Sequence, residues 1–219
     1  GGCAAGTCLP VQTFRTNAAS GAAVAVSDHV GGEVPTLIDA ANGSNATGLA
    51  GLTTATTTAQ SITTVVLAAN GSVVTGVDFG FNFDTIVNAT DAGQGSLRQF
   101  VTNANAITGE GSLTQVGQVG GRETSIFMIP NGVANPGQNT GYANQLTAAG
   151  ANAGAARITL ASALPAITGA NTILDGRTQT ANVRATAGGG ETNPSQIGTG
   201  GTVGTSGTTL PLFNRPEVV

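Results

Sequence analysis

The chain has 219 residues, 40% of them hydrophobic but only 8% charged, with seven basic residues, eleven acidic residues and a formal net charge of −4. Every basic residue is Arg, and Lys and Trp are both absent. A sequence pI near 4.7 with scattered Arg leaves no basic patch for nucleic acid, no apolar run reaches the roughly 18 residues that a membrane-spanning helix requires, and without Lys no phosphate-binding P-loop can be built.

In chain order, Gly1-Gly2-Cys3 carries neither a charged nor an apolar leader region. The chain is therefore expected to be a processed segment or an internal piece of a longer protein. Cys3 and Cys8 are the only cysteines, spaced to close a small disulfide loop; the alternative is a pair of free thiols. Residues 1–60 are polar, small and weakly patterned, apart from a Thr-rich run at Thr53, Thr54, Thr56, Thr57 and Thr58. Residues 61–69 read as a strand, and Asn70-Gly71 then gives a hairpin turn signal. Next, Val77, Phe79, Phe81 and Phe83 alternate with Asp78, Gly80 and Asn82, the period of a half-buried strand. Its apolar face is predicted to seal a small β domain over residues 1–87.

A turn-rich break, Asn88 to Ser96, opens the second unit, residues 88–219. Leu97, Phe100, Val101 and Ala104 fall at i, i+3, i+4 and i+7, predicting a helix over Leu97–Ala106 with Ser96 as its N-cap. Strand-like islands follow at Ser125–Ile129, Arg157–Leu160, Leu164–Ile167 and Asn171–Leu174. Pro130-Asn131-Gly132 stops the first and Asp175-Gly176 the last. Residues 188–207 are rich in Gly and Thr and read as a loop, and Leu210–Phe213 and Val218-Val219 read as further strand.

This composition sets disorder against tightly turned β structure. Disordered chains combine low hydrophobicity with high net charge, whereas here the net charge is small. Stacked β coils bring equivalent side chains to about 4.8 Å, where like charges repel by about 0.9 kcal/mol even at the dielectric of water. Neutral Thr, Asn and Ser ladders avoid that repulsion, and Gly supplies the turns. The reading is therefore all-β: a sandwich-like first domain, then stacked coils, with one short helix. A chain this long buries roughly 70% of its unfolded surface and needs neither metal nor disulfide to fold.

Few residues suggest chemistry. Ser27-Asp28-His29 contains the residue types of a hydrolytic triad, but a triad draws on separate elements, and a polar turn is the simpler reading. Zinc would need ligands beyond His29. Asp84, Asn88 and Asp91 offer oxygen ligands for calcium at a spacing unlike a calcium loop; turn hydrogen bonds are the alternative. Asp175 and Arg177 follow an expected rung and are the residues to test for activity on a polysaccharide, with an Asp-Gly turn as the simpler account. Asn42, Asn45, Asn70 and Asn88 begin N-x-Ser/Thr sequons, as expected by chance in so Asn- and Thr-rich a chain. No cofactor site is expected, and the chain is read as non-enzymatic.

The stretch N-A-T-D-A-G-Q-G-S-L-R-Q-F-V-T-N-A-N, residues 88–105, resembles the capping segment of secreted bacterial proteins with right-handed parallel β-helix repeats. The segments I-F-M-I-P at 126–130, I-T-L-A-S-A-L-P-A-I at 158–167 and T-I-L-D-G at 172–176 resemble the first rungs of that family. V-T-G-V-D-F-G-F-N-F, residues 74–83, is similar to the last strand of the Ig-like B-type repeats of surface adhesins. The resemblance covers about residues 60–219; residues 1–60 match neither family. It implies a secreted or cell-surface protein with structural or adhesive roles. It also implies a structural part for Ser96, Leu97 and Arg98, with Arg98 making a charge-assisted hydrogen bond to rung carbonyls or a carboxylate. The Lys–Asn cross-link of some B-type repeats cannot form without Lys.

An incomplete β domain and a solenoid that has only begun both leave strand edges that recruit other chains. The expected function is thus an extracellular filament built from copies of the chain, or an adhesin stalk. The alternatives are a module binding glycans, other cell-surface components or ice, for which the Thr53–Thr58 array is the candidate surface, and a polysaccharide-active enzyme.

Overall fold

The computed structural model describes residues 7–15, 67–73, 79–107, 121–133, 144–150, 152–183, 193, 196–197, 202–203, 207–209 and 213–219. Cys3, Ser27–His29, Asn42, Asn45, Thr53–Thr58, residues 61–66 of the strand expected over 61–69, and Val77-Asp78 at the start of the alternating run lie outside these residues.

Two kinds of β pairing meet at Asn82. On its N-terminal side, β1 (Val11–Arg15) runs antiparallel to β2 (Phe79–Asn82), with Val11 opposite Asn82 and Arg15 opposite Phe79. The register shifts between Gln12 and Phe14, so Thr13 is an extra residue that bulges β1. Asn82 then turns the chain: its Oδ1 accepts from the Asp84 amide at 2.7 Å and the Thr85 hydroxyl at 3.0 Å. Beyond the turn, β3 (Thr85–Ile86) enters a parallel ladder.

That ladder is centred on residues 123–128. Within it, β4 (Glu123–Thr124) pairs parallel with β6 (Thr172–Ile173), and β5 (Ile126–Phe127) pairs parallel with β3. Amides alternate in direction along an extended chain, so this one segment serves two neighbours. Ile126 and Met128 donate to Asp84 O and Ile86 O at 2.9 and 2.7 Å, while Glu123 and Ser125 donate to Asn171 O and Ile173 O at 3.2 and 2.9 Å. A third parallel contact joins Ala156 to Val218, extended by the Ile158 amide donating to Val219 O at 2.8 Å. Two short antiparallel pairs complete the described strands: β7 (Gln196–Ile197) with β10 (Phe213–Asn214), and β8 (Thr202–Val203) with β9 (Thr208–Thr209).

Residue alternation sorts the apolar side chains to the two faces of the ladder. Ile86, Phe127 and Ile129 join Ala156 and the helix residues Phe100, Val101 and Ala104 in one buried cluster. Val87 and Met128 join Val11 and Val183 in a second, with Ile126 packed against it. The sheet is thus covered on both faces, the usual condition of parallel strands. Val11 packs with Val87, Met128 and Val183, so contacts cross the expected boundary between residues 87 and 88.

Some expected elements take other forms. Asn70-Gly71 does turn, with the Ser72 amide on Ala69 O at 3.1 Å and Gly71 at φ +83°, but the described flanks 67–69 and 72–73 form no strand. Among the described residues, Arg157–Leu160 joins a parallel contact only through the Ile158 amide on Val219 O, and Leu164–Ile167 forms no strand: Asn105 of the helix takes the Ala166 carbonyl instead. Asp175-Gly176 does more than turn the chain: it opens a helix, Arg177–Asn182, that the sequence reading did not foresee.

Candidate functional site

The site is built on α1 (Leu97–Ala106), whose start is fixed locally. Ser96 is extended at φ −86°, ψ 161°, and its Oγ accepts from the Gln99 amide at 3.1 Å while donating to Gly93 O at 2.7 Å. Just before it, Gly95 sits at φ +76°, and its carbonyl accepts from the amides of Val87 and Asn88 at 2.8 and 3.3 Å. A Cβ there would stand 2.5 Å from Val87 Cγ2 and 3.1 Å from Asn88 Nδ2, so the loop closes only with glycine.

Three faces of α1 each hold a different part of the chain. Phe100, Val101 and Ala104 enter the core. Gln99 and Asn103, one turn apart, hold the N-terminal segment. The fully buried Asn103 carboxamide accepts from the Leu9 amide at 3.1 Å and donates to Leu9 O at 3.2 Å and Phe83 O at 2.9 Å. Gln99 Nε2 donates to Thr7 O at 2.9 Å and to Asn103 Oδ1 at 2.7 Å, and Gln94 Nε2 donates to Pro10 O. Cys8, inside this docked segment, is disulfide-bonded.

Arg98 and Asn105 lie two turns apart on the remaining face and fasten a strap, residues 161–169. Arg98 Nη2 and Nη1 donate to Ser162 O and Ala163 O, each at 2.7 Å, and its Nε donates to Asp91 O at 3.0 Å. Arg98 also pairs with the Asp91 carboxylate at 2.7 Å, which accepts the Ala161 amide at 3.1 Å as well. Asn105 donates to Ala166 O at 2.8 Å and accepts from the Thr168 and Gly169 amides at 2.7 and 3.0 Å. Hydrogen bonding from Arg98 holds the Asp91 carboxyl below its ordinary 3.8, against an opposing push from partial burial, with the Ala161 amide adding to the lowering.

The second helix, α2 (Arg177–Asn182), works on the ladder itself. Thr178 Oγ1 accepts from the Phe127 amide at 2.9 Å. The Gln179 carboxamide accepts from the Ile129 amide at 2.9 Å and donates to Ile129 O at 2.8 Å, as a neighbouring peptide group would. Ahead of α2, Asp175 accepts from the Arg177 amide at 3.0 Å and pairs with the Arg177 guanidinium at 2.7 Å; that hydrogen bonding lowers the Asp175 carboxyl below 3.8 despite some desolvation.

Of the calcium candidates, the Asn88 and Asp91 side chains make separate contacts. Asp84 is buried, with its amide on Asn82 Oδ1. Asn88 donates Nδ2 to Gln94 O at 2.8 Å and accepts at Oδ1 from the Thr90 amide at 3.2 Å. Beside Asp91, a guanidinium takes the place a cation would occupy. Among the described residues no group of three or more His, Cys, Asp and Glu side chains could hold a metal ion, and no helix is long and apolar enough to cross a membrane. The residues that sequence reasoning missed are the amides: Gln99, Asn103, Asn105 and Gln179. The spacing of Arg98 to Asn105 and of Gln99 to Asn103 is the only local sign of their shared faces. No protein-family model matches the chain, and no solved structure matches it at a significant level.

Proposed function

We propose that the chain is an extracellular structural protein, a subunit of a self-assembling filament or a module of an adhesin stalk, rather than an enzyme. The observation that carries this reading is the repeated parallel return of distant passes of the chain, Thr85 to Ile126, Glu123 to Thr172 and Ala156 to Val218. Passes stacked in parallel favour an all-β solenoid of the kind the capping segment resembles, and a stack is extended by adding further passes. The use of polar side chains agrees. Arg98, Gln99, Asn103, Asn105, Thr178 and Gln179 bind backbone groups and make the scaffold stiff. Partners would be further copies of the chain, added head to tail so that growth does not close, with glycans or other surface components as secondary ligands.

Negative-stain microscopy of the purified chain over a range of concentrations tests this. Regular filaments or end-to-end oligomers are expected; single particles of one size at every concentration would reject the filament. A polysaccharide-degrading activity lost in Asp175→Ala would reject the non-enzymatic reading.

A further inference from the structure

The sequence contains three Asn-Gly pairs, Asn42-Gly43, Asn70-Gly71 and Asn131-Gly132, of which the last two lie among the described residues. In an Asn-Gly pair the glycine nitrogen can attack the side-chain amide before it. Glycine has no Cβ to obstruct that approach, and its backbone is the least restricted. What holds each pair then decides how readily it reacts, and the two described pairs are held differently.

Asn70-Gly71 forms the tip of an exposed turn that is fastened at its ends. The Ser72 amide donates to Ala69 O at 3.1 Å, and the Ala69 amide donates to Ser72 Oγ at 2.9 Å. Asn70 and Gly71 are both exposed, Gly71 stands at φ +83°, and a Cβ placed on it would meet nothing within 4 Å among the described residues. Among those residues, too, nothing binds the Asn70 carboxamide or accepts from the Gly71 amide. Asn131-Gly132 has the same residue types and a similar glycine, at φ +81°, but it is gripped. Asn131 is half-buried and its Oδ1 accepts from the Val133 amide at 2.9 Å. Asn144 closes on the glycine, its Cβ 3.2 Å from where a Gly132 Cβ would stand.

We propose that Asn70-Gly71 is a self-modification site, at which the chain converts its own side-chain amide into a carboxylate without an enzyme. The Gly71 nitrogen gives up its proton to hydroxide and attacks Asn70 Cγ. The Cγ–Nδ2 bond breaks, and ammonia leaves with a proton taken from water. Water then opens the resulting succinimide ring at either carbonyl, giving an aspartyl or an isoaspartyl linkage at position 70. Residues 67–73, L-A-A-N-G-S-V, carry no charge, so the product sets a carboxylate between the exposed side chains of Leu67 and Val73. The reaction needs only water and is independent of any filament or surface ligand.

The test incubates the full chain in mildly alkaline buffer, folded and in denaturant, and follows both pairs by mass spectrometry of proteolytic peptides. In the folded chain, conversion at Asn70 is expected to be at least tenfold faster than at Asn131, with isoaspartyl product at position 70. In denaturant, which releases Asn131, the ratio of the two rates is expected to fall at least threefold. Equal rates at the two pairs in the folded chain, a ratio that denaturant leaves unchanged, or a product at position 70 without the isoaspartyl form would overturn the proposal.

Discussion

Two positions show how strongly single residues constrain this fold. Gly95 combines a left-handed backbone with a close approach to Val87 and Asn88. Gly95→Ala is therefore expected to lose about 1–3 kcal/mol from backbone strain alone, and more if Val87 is displaced; denaturant titration measures it. Asn103 is the second. Asn103→Leu keeps the volume but leaves Leu9 N, Leu9 O and Phe83 O without their buried partner. The expected loss is about 3 kcal/mol, since each abandoned group costs on the order of 1–3 kcal/mol, and exchange at Leu9 should accelerate with it. The two positions differ in legibility. The Ser96 cap is written locally, as a hydroxyl ahead of a run with helical period. An Asn that binds backbone ninety-four residues away has the same local sequence as an exposed one.

At the level of elements, α1 was readable because its apolar positions and its cap are neighbours in sequence. β1, V-Q-T-F-R, was not: it is five residues long, and its partner β2 lies far along the chain. The island at 164–167 has strand composition but forms no strand, and composition cannot tell a strand from a strap held by Arg98 and Asn105. That strap carries a pH prediction. Because folding lowers the Asp91 carboxyl, its contribution is complete above the ordinary value of 3.8 and disappears as pH falls through the lowered one. Exchange at residues 161–169, corrected for the intrinsic effect of pH, should be constant from about pH 8 to 5 and rise below about pH 4. In Asp91→Asn the strap should be looser throughout and indifferent to acid.

Across the whole molecule, the described structure places one helix in contact with three separate stretches of chain. Low charge and abundant Gly lead to the expectation of stacked passes, and the described residues include three short parallel contacts. How many passes stack, and whether they continue into neighbouring copies, is not encoded in local pattern, because ladder pairing depends on what lies beside a segment and not within it. If assembly proceeds through ladder ends, filament yield should respond to changes at the Ala156–Ile158 and Glu217–Val219 pairing. Gly95→Ala should affect it only through stability. Microscopy and denaturation of the same variants separate the two effects.

The docking of Thr7–Pro10 on α1 also sets an order of events during synthesis. Leu9 binds Asn103, and Pro10 binds Gln94. These residues therefore make their contacts only after a further 84 to 94 residues have been synthesised. The strap and the Val218 contact arrive later still. Contacts this distant in sequence fold slowly, so Thr7–Pro10 travel on the nascent chain waiting for the helix that will receive them.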